Sequence, residues 1–233
     1  MSLSLDLSNG QRLDIGIRIS QRARRFRLVS GIEGVHAVVP RQFDRTELTR
    51  FAESKRDWLL KTSKYYHRLK EKCGGYEPGT MLFQGQRYRC NLVADRRFSA
   101  VLSDSMKLIT FHVPDMRKSK QYQQEWYRGQ TAAIISERLP KIAEGMGLKY
   151  NKVSIKKQKS RWGSCSKKGN LNFNLMLAAA PPSVIDYVII HELAHLVVLD
   201  HSPTFWKTVS KEDPDFATHR EWLSNFAPLI KIV

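Results

Sequence analysis

The chain is poor in cysteine: Cys73, Cys90 and Cys165 are the only three in 233 residues, and no two of them form a C-x-x-C pair. So sparse and odd a set excludes a disulfide framework, and free thiols are the expected state. Cys165, in the run Ser160-Arg161-Trp162-Gly163-Ser164-Cys165, reads as a small buried residue rather than a nucleophile. Long apolar runs are also missing. Nothing approaches the roughly 18 uninterrupted apolar residues of a membrane span, so no membrane association is expected. Asp6 comes early and no basic stretch precedes an apolar one, so no signal peptide is expected either, and the expected location is cytoplasmic. Acidic residues are scarce too, with 22 Asp and Glu against 39 Lys and Arg and a formal net charge of +17.

The charge is uneven. No acidic residue stands between Glu144 and Asp186, while Lys149, Lys152, Lys156, Lys157, Lys159, Arg161, Lys167 and Lys168 crowd into residues 149–168. Such a block is either a solvated face or a surface for nucleic acid or nucleotide phosphate. With 42% hydrophobic residues, the chain can bury a core as one large domain or two small ones.

The most informative residues follow that block. His191-Glu192-Leu193-Ala194-His195 is an H-E-x-x-H motif. Residues four apart share a helix face, so His191 and His195 can hold one zinc ion, and Glu192 is placed to act as general base toward a zinc-bound water. A third ligand is needed. His201 fits by spacing, giving HExxH-x5-H and matching the long zinc motif of the metzincins, in which a glycine stands where Val198 stands here. A β-branched residue resists the positive φ of that glycine, so the helix is expected to run further before it turns. Glu221 is the rival third ligand, since other zincins take a carboxylate from a later helix.

The surrounding sequence reads as a core helix from Val184 to Leu199, apolar on nearly every side. Such a helix rarely carries His, Glu and His together without a charge-compensating partner, and a metal is the simplest one. Ser183 and Asp186 resemble a capping box after Pro181 and Pro182.

Alternation in 3–7, 13–19 and 26–29 predicts strands ending near Pro40, and one helix is predicted over about 44–72. Gly74-Gly75 and Pro78-Gly79 mark a break before a second strand group, Met81 to Val93 and Phe98 to Val113. A long helix is expected from Gln121 to Gly147, buried through Trp126, Ala132, Ile134, Ile135, Leu139, Ile142 and Met146. Strands are expected at 152–158 and 171–177. Beyond His201, Phe205-Trp206 and the stretch from Trp222 to Ile230 read as a helical cap. No internal repeat is evident. The fold class is therefore α+β: a β-rich region with one helix over 1–115, then a zincin-like core over 116–233 made of helix, antiparallel strands and H-E-x-x-H helix. In that layout Leu171 to Leu177 is the expected substrate-contacting edge strand.

The run from Ser160 to Ser166, then Asn172-Phe173-Asn174-Leu175, Ile185 to Leu196, and His201-Ser202 with Phe205-Trp206, resembles the YgjP-like family of metal-dependent hydrolases. The segments Arg22 to Pro40 and Lys55-Arg56-Asp57-Trp58 are similar to that family's N-terminal part. The resemblance implies a zincin-like metallopeptidase fold, zinc on His191, His195 and His201, Glu192 as base, and kinship with SprT-like proteases that act near DNA. One branch of the family is described as splitting pyrophosphate from uridine triphosphate. Arg161, Trp162, Asn172 and Asn174 are the candidate substrate-binding residues. The reading is a zinc metallopeptidase acting on peptide or protein. The alternatives are a metal-dependent nucleoside triphosphate pyrophosphohydrolase and a nucleic-acid-binding module with a zinc site.

Overall fold

The computed structural model describes residues 2–7, 10–31, 34–72, 77, 79–158 and 160–230. Cys73, Gly74, Gly75, Pro78 and Lys159 lie outside them, so the predicted Gly-Gly and Pro-Gly break is not described. The chain divides into two compact units that meet between residues 78 and 79.

The first unit carries strands β1 (Ser2–Asp6), β2 (Arg12–Ile19), β3 (Arg27–Gly31) and β4 (Gly34–Val39), followed by helices α1 (Arg45–Glu53) and α2 (Arg56–Lys72). Its sheet order is β1-β2-β4-β3, two antiparallel hairpins joined through the parallel pair β2/β4. Alternate residues point to opposite faces, which puts Leu3, Leu5, Ile15, Val35, Ala37 and Val39 into one core with Leu48, Ala52 and Leu59. The single helix expected over 44–72 is two. Ser54 caps α1, its hydroxyl donating to the Phe51 carbonyl at 2.8 Å. A serine that satisfies a helix's last carbonyls ends it without glycine or proline, so the periodicity hid the break.

The second unit opens with β5 (Thr80–Phe83), β6 (Gln86–Ala94), β7 (Ser99–Ser103) and β8 (Leu108–Val113), in the order β5-β6-β8-β7. This repeats the strand order of the first sheet, including a parallel inner pair, although the sequence shows no repeat. Helix α3 (Ser119–Gly145) follows. Tyr127, Thr131, Ile135, Leu139 and Ala143 recur every four residues on its buried face, while Ala132, expected inside, is exposed. Trp126 and Tyr127 pack on Phe83, Ile109 and Phe111 of the sheet. The two compact units therefore do not meet at 115/116, the boundary read from the sequence, because β5–β8 shares its core with α3.

Strands β9 (Val153–Lys156), β10 (Gly163–Cys165) and β11 (Leu171–Asn174) form a three-stranded sheet in the order β10-β11-β9. Instead of the expected antiparallel pair, β11 runs parallel to β9 and antiparallel to β10. It is also the central strand, so the sheet's edges are β9 and β10, the latter hidden in what the sequence presents as a turn. After β11 the chain tightens into a 3₁₀ turn, Leu175–Ala179. The buried Thr131 hydroxyl donates to the Leu175 carbonyl at 2.7 Å and accepts from the Ala178 N–H at 3.1 Å, holding that turn to α3.

Helix α4 (Pro182–Ala194) then crosses the core, buried through Val184, Ile185, Val188, Ile189 and Leu193. Proline at its first position starts it, and no side chain caps it. Asp186, expected in a capping box with Ser183, instead accepts from Arg138 of α3 at 2.7 Å. Helices α5 (Pro203–Glu212) and α6 (Phe216–Ile230) close the unit, as the sequence indicates. Among the described residues no helix is long and apolar enough to cross a membrane.

One turn ties the second unit's sheet to the start of α4. The Gln84 and Gly85 N–H groups donate to the Ala178 and Ala179 carbonyls at 2.8 and 3.0 Å. Gly85 has φ of +77°, and a Cβ there would lie 2.7 Å from Pro181 Cγ and 3.1 Å from Pro181 Cα. Gly85→Ala is therefore expected to cost about 2 kcal/mol and lower the melting temperature by roughly 4–8 °C, measurable by thermal denaturation.

Candidate metal centre and cleft

His191 and Glu192 sit on the last turn of α4, and His195 is its C-cap residue. The helix ends there, earlier than expected. The Val197 and Val198 N–H groups both donate to the Ala194 carbonyl, at 3.1 and 3.0 Å, closing one further turn over residues 195–197 before the chain departs. Val198 keeps an ordinary negative φ, because the turn is made by these bonds rather than by a left-handed residue. The Asp200 carboxylate accepts from the Ser202 N–H at 3.2 Å and shapes the loop that returns His201 to the helix.

The three histidines converge. One ring nitrogen from each of His191, His195 and His201 lies within 4.8 Å of the other two, the separation that ligands of one metal ion require. His191 Nε2 and His201 Nε2 face each other at 3.1 Å. His195 Nδ1 donates to the Val198 carbonyl at 3.1 Å, which fixes the tautomer and leaves Nε2 with its lone pair free. Burial, aided by the two neighbouring imidazoles, drives the His191 pKa down to about 4, so that ring is a neutral donor over the physiological range. The fully buried Phe205 ring underlies the trio, its centroid 4.9, 4.5 and 4.8 Å from those of His191, His195 and His201. Glu221, the rival ligand, is exposed on α6 and outside this cluster.

Glu192 lines the same cleft as the histidines and turns toward β10. It is 4% exposed, and its Oε2 is buried with no hydrogen-bond partner. Burial pushes its pKa up to about 8 against the opposing pull of Arg161. Desolvation wins because the guanidinium is exposed and screened. A cation among the imidazoles would favour the charged carboxylate, and three neutral imidazoles are a donor set such a cation fits.

Gly163 on β10 is what lets Glu192 fit. A Cβ at Gly163 would lie 2.7 Å from both Cγ and Cδ of Glu192. Gly163→Ala is therefore expected to rotate the carboxyl away and lower turnover on the order of 100-fold while the three imidazoles stay in place, to be checked by turnover and metal content together.

These groups line a cleft of about 910 Å³, a size suited to a small ligand or a few residues of peptide. Arg161 and Trp162 line it, as does Tyr187, whose pKa burial pushes up to about 12. Asn172 and Asn174 do not. The Asn174 amide donates to the Gln158 and Arg161 carbonyls at 2.9 and 2.8 Å, and Asn172 donates to Ser164 Oγ at 3.1 Å. Both prop up the cleft wall from behind. Cys165 lines the cleft with its pKa raised by burial and then by Glu192, which suits a packing residue rather than a nucleophile. Among the described residues of the basic block, all exposed, only Arg161 reaches the cleft. The sequence reading missed Phe205 as the ring packed against the three imidazoles, β10 as the cleft wall, and Arg220, Leu223 and Ser224 of α6 as its far side. For Phe205 a signal existed, an aromatic four residues after the third histidine; for the others there was none.

The sequence matches the family described as YgjP-like, metallopeptidase domain, over residues 24–226. No curated protein matches. Among solved structures, the metallopeptidase zymogen of Pyrococcus abyssi abylysin is similar at 26% identity, over 39% of this chain and 92% of that one, with a TM-score of 0.36. So low a score carries no argument about the fold.

Proposed function

Because the chain belongs to the YgjP-like metallopeptidase family, and so is a metal-dependent hydrolase, we propose that it is a zinc peptidase with His191, His195 and His201 as ligands and Glu192 as general base. The observation that carries this reading is the convergence of three imidazole nitrogens beside a buried, unpartnered carboxylate. Bound zinc would acidify a water and polarise a carbonyl. Glu192 then accepts the proton of the attacking water at its carboxylate and returns it to the leaving nitrogen. Held by Gly163 and shielded from bulk solvent, the carboxyl needs little reorganisation between the two transfers. The free edge of β10 offers main-chain groups to an extended peptide, the role the sequence assigns to Leu171 to Leu177.

Phosphoanhydride hydrolysis is less well served. Among the described residues Glu192 is the only acidic side chain lining the cleft, whereas a magnesium-phosphate site uses carboxylates of its own. A nucleic-acid partner for residues 149–168 rests on charge alone. The test is metal analysis paired with parallel hydrolysis assays on peptides and nucleoside triphosphates. Stoichiometric zinc with peptide cleavage supports the proposal, and triphosphate hydrolysis without peptide cleavage overturns it.

A further inference from the structure

Resting on the peptidase reading, we propose that Arg220 is a specificity-determining residue that selects peptides carrying a carboxylate side chain beside the scissile bond. The cleft is electrostatically one-sided. Arg161 enters from the β10 side and Arg220 from α6, while the single acidic lining residue, Glu192, is buried. The Arg220 guanidinium carbon lies 5.2 Å from the centroid of Trp206, and Trp206 stacks on His201 with centroids 5.7 Å apart and planes at 29°. One aromatic ring thus separates the guanidinium from the histidine cluster. A guanidinium over a ring keeps its N–H groups available for a two-point grip on a carboxylate. Among the described residues no carboxylate pairs with Arg220; the nearby Asp213 accepts from His219 at 2.8 Å. A substrate carboxylate would complete the pair, and a neutral side chain would leave it unmade.

The zinc-loaded full chain would be assayed on peptide pairs that differ only by Glu or Gln at positions flanking the cleaved bond. Binding of the same pairs to Glu192→Gln would be measured by calorimetry, which needs no turnover. The wild type is expected to favour the Glu peptide about tenfold or more, as a charge-assisted contact does. In Arg220→Gln the two peptides should converge, and Arg220→Glu should come to prefer a Lys peptide. Arg117→Gln, which removes a charge outside the cleft, should keep the preference. Equal handling of Glu and Gln peptides by the wild type, or a preference that survives Arg220→Gln, overturns the proposal. So does inorganic pyrophosphate or a nucleoside triphosphate binding through Arg220 where neither peptide does. Loss of peptide cleavage with the Glu preference intact in calorimetry would count against the peptidase reading instead.

Discussion

Glu192→Gln is expected to retain bound zinc and lose roughly 10²–10⁴-fold in kcat, the range attributed to a positioned general acid–base group. The substitution keeps shape and volume, so Gly163 still accommodates it and the imidazoles are undisturbed. Zinc stoichiometry and single-turnover rates measured on one preparation check the result; retained activity would remove Glu192 from the chemistry. A second signature is available in metal-free protein. The folded state keeps a proton on Glu192 up to about pH 8, whereas the unfolded chain releases it near its ordinary value of 4.5. At Glu192 the folded state therefore binds more protons across that window, which lowers stability as pH rises from about 4.5 to 8; His191, its pKa depressed from 6.5 to about 4, acts in the opposite sense up to about pH 6.5, so the fall shows between about 6.5 and 8. Glu192→Gln, which has no proton to release, should flatten that part of the melting-temperature profile.

His201→Ala is expected to weaken zinc binding by more than the roughly 10–100-fold that loss of an outer-shell partner costs, because a ligand itself is removed. The fold should survive, since His201 is exposed on a loop and not in the core. Competition with a chromophoric chelator gives the affinity, and circular dichroism checks the fold. Glu221→Ala should leave affinity unchanged. The reverse pattern, metal lost in Glu221→Ala and kept in His201→Ala, would reassign the third ligand.

The site was more legible than the fold around it. Spacing alone pointed to His191, His195 and His201, because four residues along a helix and a short return loop are local geometry. What spacing missed was set by hydrogen bonds to partners distant in sequence or by three-residue elements. The Val198 position looked like a reason for a longer helix, yet regular helix stops at Ala194 and only one hydrogen-bonded turn follows it. Asp186 looked like a cap until Arg138, 48 residues earlier, claimed it. β10 is three residues long and has no periodicity to detect, so the edge-strand role fell on β11, which is flanked on both sides. Asn172 and Asn174, candidate substrate contacts in the sequence, do not line the cleft. Their amides are used in bracing the wall instead. The twin strand order of the two sheets left no trace in sequence, since topology is conserved by pairing rather than by residue identity.

The absence of a side chain at Gly163 couples two parts that are usually independent. Because a Cβ at Gly163 would collide with Glu192, strand and carboxyl share one space, and under the peptidase reading a peptide that shifts this short ribbon is expected to shift the proton carrier with it. Seating of a guest and alignment of the base would then be a single mechanical event.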